Sequence, residues 1–188
     1  EHEREVEALI VAFRNRIGLI GVQDEAQIQA LLAEVESALR LGPNHEALHS
    51  IHRDALGLRH KIQKAQDVAR LQKEGDLEGA LGVLESLAAL DPQFDGAGEK
   101  LQSLRRTLSQ LEERYKQAQS LSQEGRLSQA REVLELIAAT QPRFRGAQAL
   151  LDEIKRLEQG NKMLRQAQAL RDDGLLPEAF QIASAVLE

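Results

Sequence analysis

The sequence predicts an all-α protein built from helical hairpins laid one after another, on three observations. The chain repeats itself: KEGDLEGALGVLESLAALDPQF at 73–94 and QEGRLSQAREVLELIAATQPRF at 123–144 agree at 11 of 22 positions, among them Gly75/Gly125, Ala80/Ala130, Pro92/Pro142 and Phe94/Phe144. Its apolar residues fall at helical spacing between these marks. Its core is aliphatic: with four Phe, one Tyr and no Trp, the interior must be filled by Leu, Ala, Ile and Val, as in helix bundles and helical arrays.

The repeat spreads outward from the quoted segment. The turn marked by Gly75 and Gly125 recurs at Gly174, in RDDGLLPEAF, and VESALRLGP at 35–43 matches LESLAALDP at 84–92. An N-terminal copy follows from the second match, with Ala26 standing where the others have the turn glycine. The chain therefore divides into one array, 1–188, of units at about 1–43, 44–92, 93–142 and 143–188, the last truncated. It begins at Glu1 without Met and stops at Glu188 inside an apolar-periodic segment, which reads as a piece of a larger protein.

Each unit pairs a short helix with a long one. From Leu77 to Leu90 the apolar residues fall at 77, 80, 81, 84, 87, 88 and 90, and Pro92, lacking an N–H, stops the helix. Between Gly96 and Glu124 nothing interrupts, so about 27 residues form one helix, roughly 40 Å long. The first parts of the long helices also carry a seam near a 3.5-residue period: Leu48, Ile51, Ala55, Leu58 and Ile62; Leu101, Leu104, Leu108 and Leu111; Leu150, Ile154, Leu157 and Leu164, with Asn161 at a missing step. About two heptads are too few for an independent coiled coil, so these seams predict side-by-side packing within the array. Gly57 and Gly160 mark two places where a kink is expected.

The second half of each long helix, its glycine turn and the short helix, as in VARLQKEGDLEGALGVLESLAALDP, resemble the tetratricopeptide repeat (TPR). The residues that carry the resemblance are a small one at Val68, Ala118 or Ala167, then Leu71, Leu121 or Leu170, the turn glycine, Ala80, Ala130 or Ala179 at the helix crossing, Leu84 or Leu134, and Pro92 or Pro142. The sequence departs from the family where Lys64, Arg114 and Met163 replace an early bulky aromatic. It also exceeds the family's 34-residue period by about 16 residues, all in the first helix. The resemblance implies a right-handed α-solenoid of TPR-like helical hairpins with long first helices. It implies a groove as well, for which the partner-binding candidates are Tyr115, Gln119, Ser122, Gln168 and Arg171. The first half of each long helix, outrunning its short partner, is expected to leave apolar surface for neighbouring units or for another chain.

Other residues carry less. His45, His49 and His52 share a helical face with spacing that could suit zinc, but His45 occupies the slot of Phe94 and Phe144, two residues past the proline, where capping or packing against the next helix is expected. Phe94 and Phe144 are expected to plug the junctions between short and long helices. No cofactor and no metal is expected, and with no Cys there is no thiolate site and no disulfide. Net charge −6, spread among 24 basic and 30 acidic residues, argues against nucleic acid, and no apolar stretch is long enough for membrane insertion. Nucleotide-loop, nucleophile-elbow and zinc-protease motifs are all absent, so no enzyme is predicted. Two roles remain: a scaffold that binds a protein or peptide partner through helix faces, or a spacer that forms a homodimer through its long helices inside a larger assembly or regulates an attached catalytic domain.

Overall fold

In the computed structural model, which describes residues 2–185, the chain is all-helical, with no strand among the described residues. Its α-helices are α1 (His2–Ile17), α2 (Glu25–Leu41), α3 (Glu46–Lys73), α4 (Leu77–Leu90), α5 (Ala97–Gln123), α6 (Leu127–Thr140), α7 (Ala147–Asp172) and α8 (Leu176–Ser184). The short helix expected over 77–90 and the unbroken 27-residue helix expected after Gly96 are both present as read. No helix of the described residues is long and apolar enough to cross a membrane.

Three turns share one construction. After α3, α5 and α7 the chain passes through Gly75, Gly125 and Gly174 with φ of 76°, 75° and 84°, a left-handed conformation that a Cβ would strain. At each, the glycine N–H donates to the carbonyl three residues back and the next N–H to the carbonyl five residues back: Asp76 to Leu71, Arg126 to Leu121 and Leu175 to Leu170, all at 2.9 Å. This is the Schellman arrangement, and it reverses the chain within three residues. The junctions that lead into the next long helix are alike too. The N–H groups of His45, Phe94 and Phe144 donate three residues back to Gly42, Asp91 and Gln141.

The molecule contains two compact units, residues 1–105 and 106–188, and α5 runs through the division. In the first, α1, α2 and α4 all pack on α3. The core includes Phe13, Ile28, Leu31, Val35, Leu48, Ile51 and Ile62. Leu48, Ile51, Ala55, Ile62, Ala65 and Val68 are buried along the whole of α3. The first half of this helix is therefore covered by α1 and α2, which belong to the preceding repeat unit, one of the two covers expected for it. The N-terminal copy also differs from its expected outline. Ala26 lies in the first turn of α2 and not in a loop; the reversal comes earlier, at 18–24, where the Asp24 carboxylate accepts the Gly21 N–H at 2.9 Å.

The second unit holds the rest of α5, with α6 on α7 and α7 on α8. Ala118, Leu121, Ala130, Leu134, Ile137, Phe144, Leu151 and Ile154 are buried. Phe144 sits at the α6–α7 junction with its ring edge-on to Tyr115, centroids 6.0 Å apart. In the first unit, Phe94 packs half-buried against the core, with the Lys61 ammonium 5.6 Å from its ring centre. Both phenylalanines plug junctions as expected. Helices α3 and α7 continue without a break through Gly57 and Gly160.

Candidate functional site

Exposed apolar side chains occur singly elsewhere, at Leu19, Leu41, Leu90 and Leu136 among others, and a run of them lies at the end of the second unit, in the second half of α7 and on α8. There Leu157 is 47% exposed, Leu164 42%, Leu176 62% and Phe180 76%. Relative to α5, α7 is one residue short. Left-handed glycines at Gly96 and Gly146 precede α5 and α7, and Gly125 and Gly174 follow them, yet α5 has 27 residues and α7 only 26. One residue fewer in a continuous helix turns everything beyond the deficit by about 100° relative to what comes before. Ala147, Leu151 and Ile154 are buried, as Ala97 and Leu104 are on α5. Beyond Ile154 the α5 register would call on Asn161, which is exposed where Leu111 is buried, while Leu157 and Leu164 fall on another face. Only Ala167 is buried in the remainder of α7.

Between this part of α7 and α8 lies a groove of about 500 Å³. Leu164 and Ala167 form one wall, Leu176, Ala179 and Phe180 the other, and Gln168 and Arg171 edge it. Leu164 also borders an adjoining hollow of about 500 Å³ with Arg156, Leu157, Gly160 and Asn161. Pro177 opens α8 within its first two positions, where its missing N–H leaves no hydrogen bond unmade. The wall stands because Gly174 reverses the chain at once and Ala167 and Ala179, both small and buried, let the two helices approach.

The five partner-binding candidates do not converge. Gln168 and Arg171 meet at the groove, both exposed, and the Arg171 guanidinium pairs with Asp172 at 2.8 Å. Tyr115, Gln119 and Ser122 lie on α5. Gln119 is exposed, Ser122 half-buried just before the Gly125 turn, and Tyr115 half-buried with its ring against Phe144. Phe180, the most exposed aromatic of the groove, was not among the candidates; the signal for it was an aromatic side chain at the slot that holds Leu81 and Arg131 in the other hairpins.

The histidines stand apart from this site. His49 Nε2 donates to the Pro43 carbonyl at 2.7 Å, His52 Nε2 lies 3.5 Å from a Glu36 oxygen, and His45 begins α3 without a capping bond from its ring. No group of three or more His, Cys, Asp or Glu among the described residues is placed to hold a metal ion.

No protein-family model, no curated protein and no solved structure matches the chain.

Proposed function

We propose that this chain is a non-enzymatic protein–protein interaction scaffold whose TPR-like hairpins, with long first helices, stack as a right-handed α-solenoid and bind a peptide or protein partner through helix faces. The observation that carries the reading is the α7–α8 groove. A concave, largely apolar surface with a few polar groups at its edge suits a partner's side chains, and exposed apolar surface gathered in one place marks an interaction site. Gln168 and Arg171, which the resemblance assigns to a partner, stand at its edge. The identical turn construction at Gly75, Gly125 and Gly174 supports the repeat, since one backbone device recurs at the positions the sequence marks.

The test is affinity capture with the wild-type chain beside a Phe180→Asp, Arg171→Ala double variant. Proteins retained by the wild type and lost from the variant are the expected result. The same set retained by both would remove the groove from the reading, and no specific protein retained by either would remove the scaffold function.

A further inference from the structure

We propose that the link between α2 and α3, residues 42–46, is a hinge: it opens locally while the equivalent links before α5 and α7 stay closed. This holds whether or not the α7–α8 groove takes a partner.

The three links share a backbone and differ in their side chains. In each, the N–H of the slot residue, His45, Phe94 or Phe144, donates to the carbonyl three residues back. Before α5 the Asp91 carboxylate reinforces that bond, accepting the Gln93 N–H at 3.1 Å, the Phe94 N–H at 3.2 Å and the Lys61 ammonium of α3 at 2.7 Å. The same ammonium stands 5.6 Å from the Phe94 ring centre. Before α7, where Gln141 Oε1 is buried and unpaired, closure rests on Phe144, buried edge-on to Tyr115, and on Arg145, which donates to Glu112 of α5 at 2.6 Å.

The link before α3 has neither kind of support. Gly42 holds the place of Asp91, so the carboxylate that would accept the N–H groups of Asn44 and His45 is missing. An imidazole fills the phenylalanine slot, and its Nδ1 is buried with no hydrogen-bond partner among the described residues. A buried nitrogen left unpaired opposes closure, where a phenylalanine ring in the same place favours it. His45 also gives α3 no side-chain cap. A tie from His49, whose Nε2 donates to the Pro43 carbonyl at 2.7 Å, comes from an exposed side chain. The weakness stops at the link. Ile28, Leu31 and Val35 of α2 and Leu48 and Ile51 of α3 are fully buried in one core, so the two helices stay together beneath an open link. That combination, a loose connection over a firm contact, is what a hinge requires.

Native-state amide exchange of the full chain, followed residue by residue by NMR and corrected for intrinsic rates, tests the hinge. The His45 N–H should exchange at least about tenfold faster than those of Phe94 and Phe144, whose backbone bonds have the same form, and at least about tenfold faster than the Ile51 N–H deeper in α3. Two substitutions restore what is missing. His45→Phe supplies the ring. Gly42→Asp supplies the carboxylate, and a Cβ there makes only ordinary contacts, 3.7 Å from the His45 Cβ and 4.0 Å from the Ala38 carbonyl oxygen. With far-UV circular dichroism unchanged, either should slow exchange at position 45 about threefold or more. If the His45 N–H is as protected as those of Phe94 and Phe144, or if both variants leave its exchange where it was, the hinge is overturned. An Ile51 N–H that exchanges as fast as that of His45 would mean that α3 opens as a whole, and would overturn it too.

Discussion

Helices α3 and α7 make an instructive pair. Each is a first helix of a hairpin, each contains a mid-helix glycine, and each ends in the same glycine turn. Yet α3 is buried along one face from Leu48 to Val68, whereas α7 buries its first two turns, then exposes Leu157 and Leu164. Phase does not distinguish them: the junction residue and the turn glycine are 30 residues apart in both, His45 to Gly75 and Phe144 to Gly174. What differs is a side chain and its cover: Ile62 is buried on α3 where α7 has the exposed Asn161, and α1 and α2 pack on α3. A helix of unchanged register can thus be core or surface according to what packs on it.

The sharpest way to break this contrast is to cut equivalent aliphatic side chains from the two helices. Ile62→Ala, at a fully buried site on α3, should cost about 3 kcal/mol in urea denaturation. Leu157→Ala on α7, half-exposed, should cost no more than about 1 kcal/mol. Equal losses would mean that Leu157 is covered in solution.

Glycines sharpen it at the next scale. Gly125→Ala forces a Cβ into φ of 75° and should destabilise by about 1–2 kcal/mol. Gly57→Ala meets no atom within 4 Å, sits in an uninterrupted helix, and should stabilise by about 0.5–1 kcal/mol. Thermal midpoints moving in opposite directions would support the assigned roles, and a gain at Gly125 would remove the turn from the account of the hairpin.

The smallest effect concerns a polar tie. Asp91, just past α4, accepts the Lys61 ammonium of α3 at 2.7 Å and the N–H groups of Gln93 and Phe94. The Lys61 hydrogen bond chiefly, with those two N–H groups, holds its carboxyl below the usual carboxylate range. A carboxyl depressed in the folded state adds stability above its unfolded value, near 4, and loses it as pH falls through the folded value. Asp91→Asn should therefore lower the thermal midpoint at neutral pH, and the difference from wild type should close as the pH is taken below about 4. A difference constant down to pH 2 would separate the tie from the carboxylate's charge.

Much of the fold was legible because its signals are local. Pro92, Gly75 and Gly125 act on their immediate neighbours, so the bounds of α4 and α5 follow from residues adjacent to them. The junction phenylalanines were legible by recurrence. The groove was less so, because it depends on which stripe of α7 meets a neighbour, and the same register is covered in α3 and open in α7. The overhanging first halves of the long helices were expected to be covered by neighbouring units or by another chain; in α3 the cover is α1 and α2 of the preceding unit, a choice that no local pattern near Leu48 announces. Phe180 escaped notice for a related reason, since its exposure depends on the absence of a neighbour among the described residues.

The three-residue reversals at Gly75, Gly125 and Gly174 bear on how the protein forms. Joining two helices through so short a link means that the ends to be brought together are never far apart, and the entropic toll of ring closure is slight. Native pairings within a hairpin are then near neighbours along the chain, a condition that favours rapid, spontaneous assembly and lets more than one hairpin begin to organise before the others have formed.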